Sequence, residues 1–209
     1  MTQPPYNSMP SDLQAAFRPD MVVPPPGAIQ LGQEISAAQA RRIAEDQARI
    51  DVLHQLGFPD GPDQLMDQFA DHLAEVTGMA YAFVNLFYGD QTFVGLHMPD
   101  PERGLVPVGR SMGFDRGWCP VVVEQKKALP LFDVYASPRF AGNYVVNAVG
   151  IRSYMGAPLI HEETGIALGT VCTIDPEPRT VQDARHLIAR VKDVGAEVKN
   201  ALPASAPAR

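Results

Sequence analysis

Proline divides this chain. Seven of its 20 prolines (Pro4, Pro5, Pro10, Pro19, Pro24, Pro25 and Pro26) fall in the first 26 residues, and Pro203 and Pro207 lie in the last seven. Each proline removes a backbone donor and fixes φ, so neither end suits a sheet ladder, and a packed domain is confined to the middle. Residues 1–32 are expected to form a flexible, partly polyproline arm, and residues 203–209 a tail. Within the arm, Ser11 to Phe17 has the pattern of one helical turn capped by Ser11, a docking segment if a partner exists.

The middle can bury a core. Of the 209 residues, 45% are hydrophobic, and a domain of roughly 170 residues buries about 70% of the surface its unfolded chain exposes. Seventeen basic residues against 24 acidic give a net charge of -7, which excludes a general nucleic-acid binder and electrostatic docking on an anionic membrane. The opening MTQPPYNSMP has no basic and apolar leader pattern, and no apolar run approaches the ~20 residues of a spanning helix, so a cytoplasmic location is expected. Two cysteines, Cys119 and Cys172, are too few for a disulfide scaffold or a zinc signature.

Residues 33–57 lack internal prolines and are rich in Ala, Glu, Gln and Arg, which predicts a helix whose apolar face holds Ile43, Ile50 and Leu53. Gly57 to Pro62 stops it. A second helix is predicted over 63–77, with Leu65, Phe69, His72, Leu73 and Val76 on one stripe and Gly78 as its stop. Strands are predicted over 79–88 and 91–97, joined at Gly89-Asp90. A weaker strand falls within 105–114, a short helix over 118–127 with Asp115 as its cap, and a fourth strand over 128–134. Residues 137–150 are irregular or helical. The last strands, 151–161 and 166–175, are joined by a turn at 162–165, and a final helix capped by Thr180 runs to about Leu202. Hairpin-linked strands with helices at both ends describe an α+β domain on an antiparallel sheet of about six strands.

The last two strands are the most specific. Gly156-Ala157-Pro158 places a small residue and a donor-lacking proline inside a strand, which predicts a bulge or an edge and a close approach to the backbone. In the strand that follows, alternation puts Leu168, Thr170, Cys172 and Ile174 on one face and Gly169, Val171 and Thr173 on the other, so both faces are covered. The run Gly150-Ile151-Arg152-Ser153-Tyr154-Met155-Gly156-Ala157-Pro158-Leu159, then Leu168-Gly169-Thr170-Val171-Cys172-Thr173-Ile174-Asp175 and Pro178-Arg179, resembles the pattern of bacterial GAF domains. Upstream, Asp133-Val134 with Ser137-Pro138-Arg139-Phe140-Ala141 is similar to the family's D-x-x-x-D-P-R-F-A segment. Gly117-Trp118-Cys119 sits where the family often has S-F-C, and Leu56 to Pro62 looks like its opening turn. The likeness covers about 51–201, so the domain is placed at 58–202 with a preceding helix.

The resemblance implies a PAS-like architecture, with terminal helices on one sheet face and a ligand pocket on the other. It also implies a non-catalytic sensor or adaptor that binds a small molecule, dimerises, or both, and acts on a signalling partner. It specifies no cofactor. Mapped onto this chain, the pocket positions are Phe83, Asn85, Trp118, Cys119, Asp133, Tyr144, Arg152, Tyr154 and Cys172. Of these, Arg152 and Asp133 are the charged pair that needs either an anion or each other. Two alternatives stand beside the sensor. One is a free methionine sulfoxide reductase-type thiol enzyme, although Phe140 to Gly150, where the resemblance would place the nucleophile, has no cysteine. The other is an interaction scaffold whose pocket is filled by Trp118, Tyr144 and Tyr154. None of the histidines, His97 and His161 included, has metal-ligand spacing.

Overall fold

The computed structural model describes residues 26–201, with side chains described from Gln39 onward. The Ser11–Phe17 turn, the arm before Pro26 and the tail lie outside the described residues. Two units divide within the first helix, between Ile43 and Ala44. That helix, α1 (Pro26–Gln55), starts before the expected Gln33. Proline at a first helical position loses no hydrogen bond and carries a helical φ, so Pro26 suits the opening of the helix. In the second unit, Val52 and Leu53 reach the core, and the buried Arg49 donates from Nε to the Ala167 carbonyl at 2.7 Å.

Helix α2 (Gln64–Thr77) is capped by Asp63, whose side chain accepts from the Met66 amide, and ends at Gly78 with φ 61°. Its buried stripe is Met66, Ala70, Leu73, Ala74 and Thr77, whereas Leu65 and Val76 are exposed. The expected stripe is thus rotated. Small residues bring this helix down onto the sheet: a Cβ on Gly95 would lie 2.1 Å from the Met66 carbonyl oxygen. Close approach therefore overrides the bulkier apolar residues in choosing the buried side.

The strands are β1 (Tyr81–Tyr88), β2 (Asp90–His97), β3 (Ser111–Met112), β4 (Leu129–Leu131), β5 (Ser153–Ile160) and β6 (Ala167–Asp175). They form one antiparallel sheet in the order β3-β2-β1-β6-β5-β4. Between β3 and β4 lies α3 (Cys119–Gln125). Between β4 and β5 lie α4 (Pro138–Ala141) and α5 (Tyr144–Val149), and α6 (Val181–Asn200) closes the chain. Thr180 and Asp183 form a capping box at the start of α6. Asp115 is not the cap of α3; Trp118 holds that position without a side-chain hydrogen bond.

One sheet face packs Val84, Leu86, Met155, Ala157 and Val171 against α2 and α6. The other packs Tyr81, Phe83, Phe87, Tyr154, Cys172 and Ile174 under Trp118, α3 and α5. Two bulges interrupt the alternation. Val84 pairs with Gly95 while Asn85 pairs with Phe93, leaving Val94 as the extra residue. Leu159 pairs with Gly169 while Ile160 pairs with Ala167, leaving Leu168 extra. The second bulge moves Leu168 to the helical face, away from Thr170, Cys172 and Ile174, because one inserted residue reverses every side chain beyond it. Pro158 lies beyond Gly156, where pairing with β4 ends, so its missing donor faces no ladder.

An ion pair holds α2 to β2. Arg110 donates from both terminal nitrogens to Asp67 at 2.9 Å, and the Leu96 amide donates to the same carboxylate at 2.8 Å. Burial raises the Asp67 pKa, but these donors outweigh it and hold the carboxyl below its ordinary value. A carboxyl depressed in the fold adds stability above its unfolded pKa of about 4, and that stability is lost as pH falls through the folded value. Urea midpoints are therefore expected to drop on acidification below about pH 4. Asp67→Asn should flatten that part of the profile; a variant with an unchanged acid limb would exclude the pair.

Candidate functional site

On the face opposite the helices lies a cavity of about 340 Å³, within the range of about 300–1,000 Å³ that small-molecule sites occupy. Its floor is the sheet: Phe83 of β1, Phe93 of β2, Tyr154 of β5, and Cys172 and Ile174 of β6. Its walls are the segment from Val106 through Met112 to Cys119, and the face of α5 carrying Tyr144, Val145, Ala148 and Val149. Most of this lining is apolar. Tyr144 and Arg116 are exposed at the mouth, where the guanidinium lies 4.6 Å from the Tyr144 ring centre. A shallow depression formed with Asp115, Arg139 and Asn143 shares both residues with the cavity.

Hydrogen bonds from the sheet and from the start of α5 hold the walls. The Tyr81 hydroxyl donates to the Val106 carbonyl at 2.8 Å, and Asn143 Nδ2 donates to the Gly117 carbonyl at 2.7 Å. Gln91 Nε2 donates to the carbonyls of Gly113 and Arg116 at 2.9 and 2.8 Å, and its Oε1 accepts from Asn85 Nδ2 at 3.0 Å. Asn85 therefore does not line the cavity: it lies buried under the wall and orients Gln91. Sequence reading places Asn85 on the correct sheet face but carries no sign of Gln91, because the pairing depends on the register across the hairpin.

Six of the nine expected residues line the cavity: Phe83, Trp118, Cys119, Tyr144, Tyr154 and Cys172. Arg152 and Asp133 do not. Arg152 donates from Nε and a terminal nitrogen to the Asp133 carboxylate at 3.1 and 2.7 Å, and lies over the Tyr135 ring. Asp133 also accepts from the Tyr135 amide, and the Val134 amide donates to the Arg152 carbonyl at 2.8 Å. Each charge has the other as partner, so the pair ties the crossover to β5 instead of awaiting an anion. Arg152 holds the Asp133 carboxyl below its ordinary range. Arg152→Ala is accordingly expected to lower the melting temperature while leaving affinity for any cavity ligand within about twofold. A large affinity loss without a stability loss would reverse that assignment.

Trp118 and the thiols give the cavity its polar chemistry. Trp118 is buried, its ring centre 5.3 Å from that of Tyr154, and its indole N–H has no hydrogen-bond partner. Cys119 Sγ lies 3.5 Å from Cys172 Sγ and 3.4 Å from the Tyr154 hydroxyl. The shared thiol hydrogen bond separates the pair. Donation from Cys172 favours a Cys119 thiolate and draws Cys119 down against burial, with Thr170, Tyr154 and Asn85 assisting. The same bond, with burial, pushes Cys172 up. Tyr154 lies over Gly156, where a Cβ would sit 2.0 Å from its hydroxyl oxygen. The close approach expected at Gly156 is therefore made by the chain's own phenol. His97 contacts Asp71 and His161 contacts Thr164, both away from the cavity. Among the described residues no three His, Cys, Asp or Glu side chains gather as a metal site requires.

The chain is 41% identical over 63 residues, 30% of its length, to a cyclic di-GMP phosphodiesterase of Pseudomonas aeruginosa, of which the match spans only 11%. Among solved structures, it is similar to a type II free methionine-R-sulfoxide reductase from Thermoplasma acidophilum, with 12% identity and a TM-score of 0.48. That match covers 66% of this chain and 92% of the other. It is also similar to the GAF domain of a phosphoenolpyruvate-protein phosphotransferase from Coxiella burnetii, with 13% identity, a TM-score of 0.46, and coverage of 74% and 92%. The sequence profile of the GAF domain matches residues 61–202, the span that builds the sheet, the cavity and α6. The chain belongs to the GAF domain family.

Proposed function

We propose that this chain is a regulatory, non-catalytic GAF domain whose cavity binds a compact small molecule and passes its occupancy to a signalling partner. The observation that carries the reading is the cavity itself, about 340 Å³ between the sheet and α5, largely apolar and walled by Trp118. The ligand that fits has a flat apolar body to lie over Phe83, Phe93 and Ile174 and beside Trp118. An anionic group on it would face Arg116, which makes a ring contact and no carboxylate pair among the described ion pairs. A cytoplasmic location is part of the proposal; no helix among the described residues is long and apolar enough to cross a membrane. A homodimer is part of the proposal, since Ile43 on α1 is 62% exposed. Native mass spectrometry of freshly purified protein tests both parts. A noncovalent adduct on a dimer supports the reading, and a bare monomer whose melting temperature no aromatic anion in a metabolite panel raises contradicts it.

The sulfoxide-reductase alternative has less support. The segment where the resemblance puts its nucleophile forms α4 and α5 and contains no cysteine.

A further inference from the structure

The cavity floor holds a dithiol that ligand binding does not require. Cys119 and Cys172 come from segments 53 residues apart, yet their sulfurs lie at 3.5 Å, close to van der Waals contact. Both line the cavity, so a small solute entering past Arg116 and Tyr144 meets them, while both are buried from bulk solvent. The Tyr154 hydroxyl is within hydrogen-bond reach of Cys119, and the Thr170 hydroxyl, on the same sheet face, is buried beside both thiols, where it favours a thiolate. Two residues that merely filled space would need no such polar surround.

We propose that Cys119 and Cys172 form an oxidation site for small hydroperoxides, with Cys119 as the attacking sulfur and Cys172 as the resolving one. In the first step the Cys119 thiolate attacks the terminal peroxide oxygen. An S–O bond forms, the O–O bond breaks, and the leaving oxygen takes a proton and departs as alcohol or water. In the second, the Cys172 sulfur attacks the sulfenic sulfur of Cys119. The S–S bond forms, the S–O bond breaks, and the Cys172 proton leaves with the hydroxide as water. The sum is two thiols and one hydroperoxide giving one disulfide, one alcohol and one water; the sulfurs lose the two electrons that the O–O bond gains. These are the only two cysteines in the chain, so a sulfenic acid formed here has one thiol within reach, and closure is intramolecular. The disulfide would draw the start of α3 toward β6 and reshape the cavity floor.

The site stands on the thiol geometry and is independent of the proposed ligand. The test uses the full chain, reduced, freed of reductant and treated with equimolar hydrogen peroxide. Folded protein is expected to lose the mass of two hydrogens, at least about tenfold faster than the same chain unfolded in urea at the same pH. Nonreducing peptide mapping should then join the tryptic peptides beginning at Gly117 and Ser153, and dithiothreitol should release them. Cys172→Ser should stop after gaining one oxygen, as a sulfenic acid trapped by dimedone, and Cys119→Ser should leave the peroxide unconsumed. The proposal is overturned if the folded thiols react no faster than the unfolded ones, if oxidation yields only disulfides between chains, or if Cys119→Ser consumes peroxide as the wild type does. Should a serine variant fail to fold, the peptide map of the wild type decides alone.

Discussion

Gly169→Ala is expected to lower the unfolding free energy by about 3 kcal/mol or more, the upper part of the range for overpacked cores. The reason is backbone against backbone. A Cβ at Gly169 would lie 2.0 Å from the Asn85 carbonyl oxygen and 2.9 Å from the Leu86 Cα, and no side chain can swing aside to relieve it. Gly169 pairs with Leu86 on one side and Leu159 on the other, next to the bulge at Leu168, so a shift would strain three central strands together. Urea unfolding checks this. A variant within about 1 kcal/mol of the wild type would mean that β1 and β6 are not packed this closely.

Gly156→Ala should act differently, because its obstacle is a ring. The added carbon would lie 2.0, 2.5 and 2.8 Å from the hydroxyl oxygen, Cζ and Cε1 of Tyr154. Tyr154 is fully buried, with Trp118 and Cys119 beside it and the cavity as the open volume it lines. The ring is therefore expected to leave the sheet and enter the cavity, with a stability loss of about 2 kcal/mol and at least about a tenfold loss of ligand affinity. Combining Gly156→Ala with Tyr154→Leu, which removes the ring, should cost less stability than the two single changes summed. Additive costs would show that alanine is accommodated some other way and that Tyr154 stays in place.

These two glycines mark where the sequence is informative and where it stops. The order and type of all six strands, the hairpin at Gly89, the αL stop at Gly78 and the Thr180 cap are local features, written in alternation and turn chemistry, and the structure keeps them. Bulges were not legible. Val94 and Leu168 are ordinary strand residues, and only the pairing of two strands shows that one of them is supernumerary. For the same reason the buried side of α2 was misplaced, since Ala70 and Ala74 are selected by contact with the sheet and not by their own hydrophobicity.

The candidate site divides along the same line. The resemblance to the family drew attention to Trp118, Cys119, Tyr154 and Cys172, which meet in the cavity, but their juxtaposition belongs to the tertiary fold. Charge drew attention equally to Arg152 and Asp133, which satisfy each other outside it. Arg116 and Val108 gave no signal of their own, because a cavity wall built from a loop has no periodicity to reveal it.

The central claim is that the cavity is a binding site whose wall is Trp118, and this is the chain's single tryptophan. Its emission therefore reports on the cavity without labelling. The decisive measurement is a fluorescence titration with 8-anilinonaphthalene-1-sulfonate, an aromatic body with one anionic group. Saturable quenching of Trp118 is expected at one probe per chain, weakened at least about tenfold in Gly156→Ala and unchanged in Arg152→Ala. Tryptophan emission that does not respond to the probe, or quenching identical in the wild type and Gly156→Ala, would contradict the account.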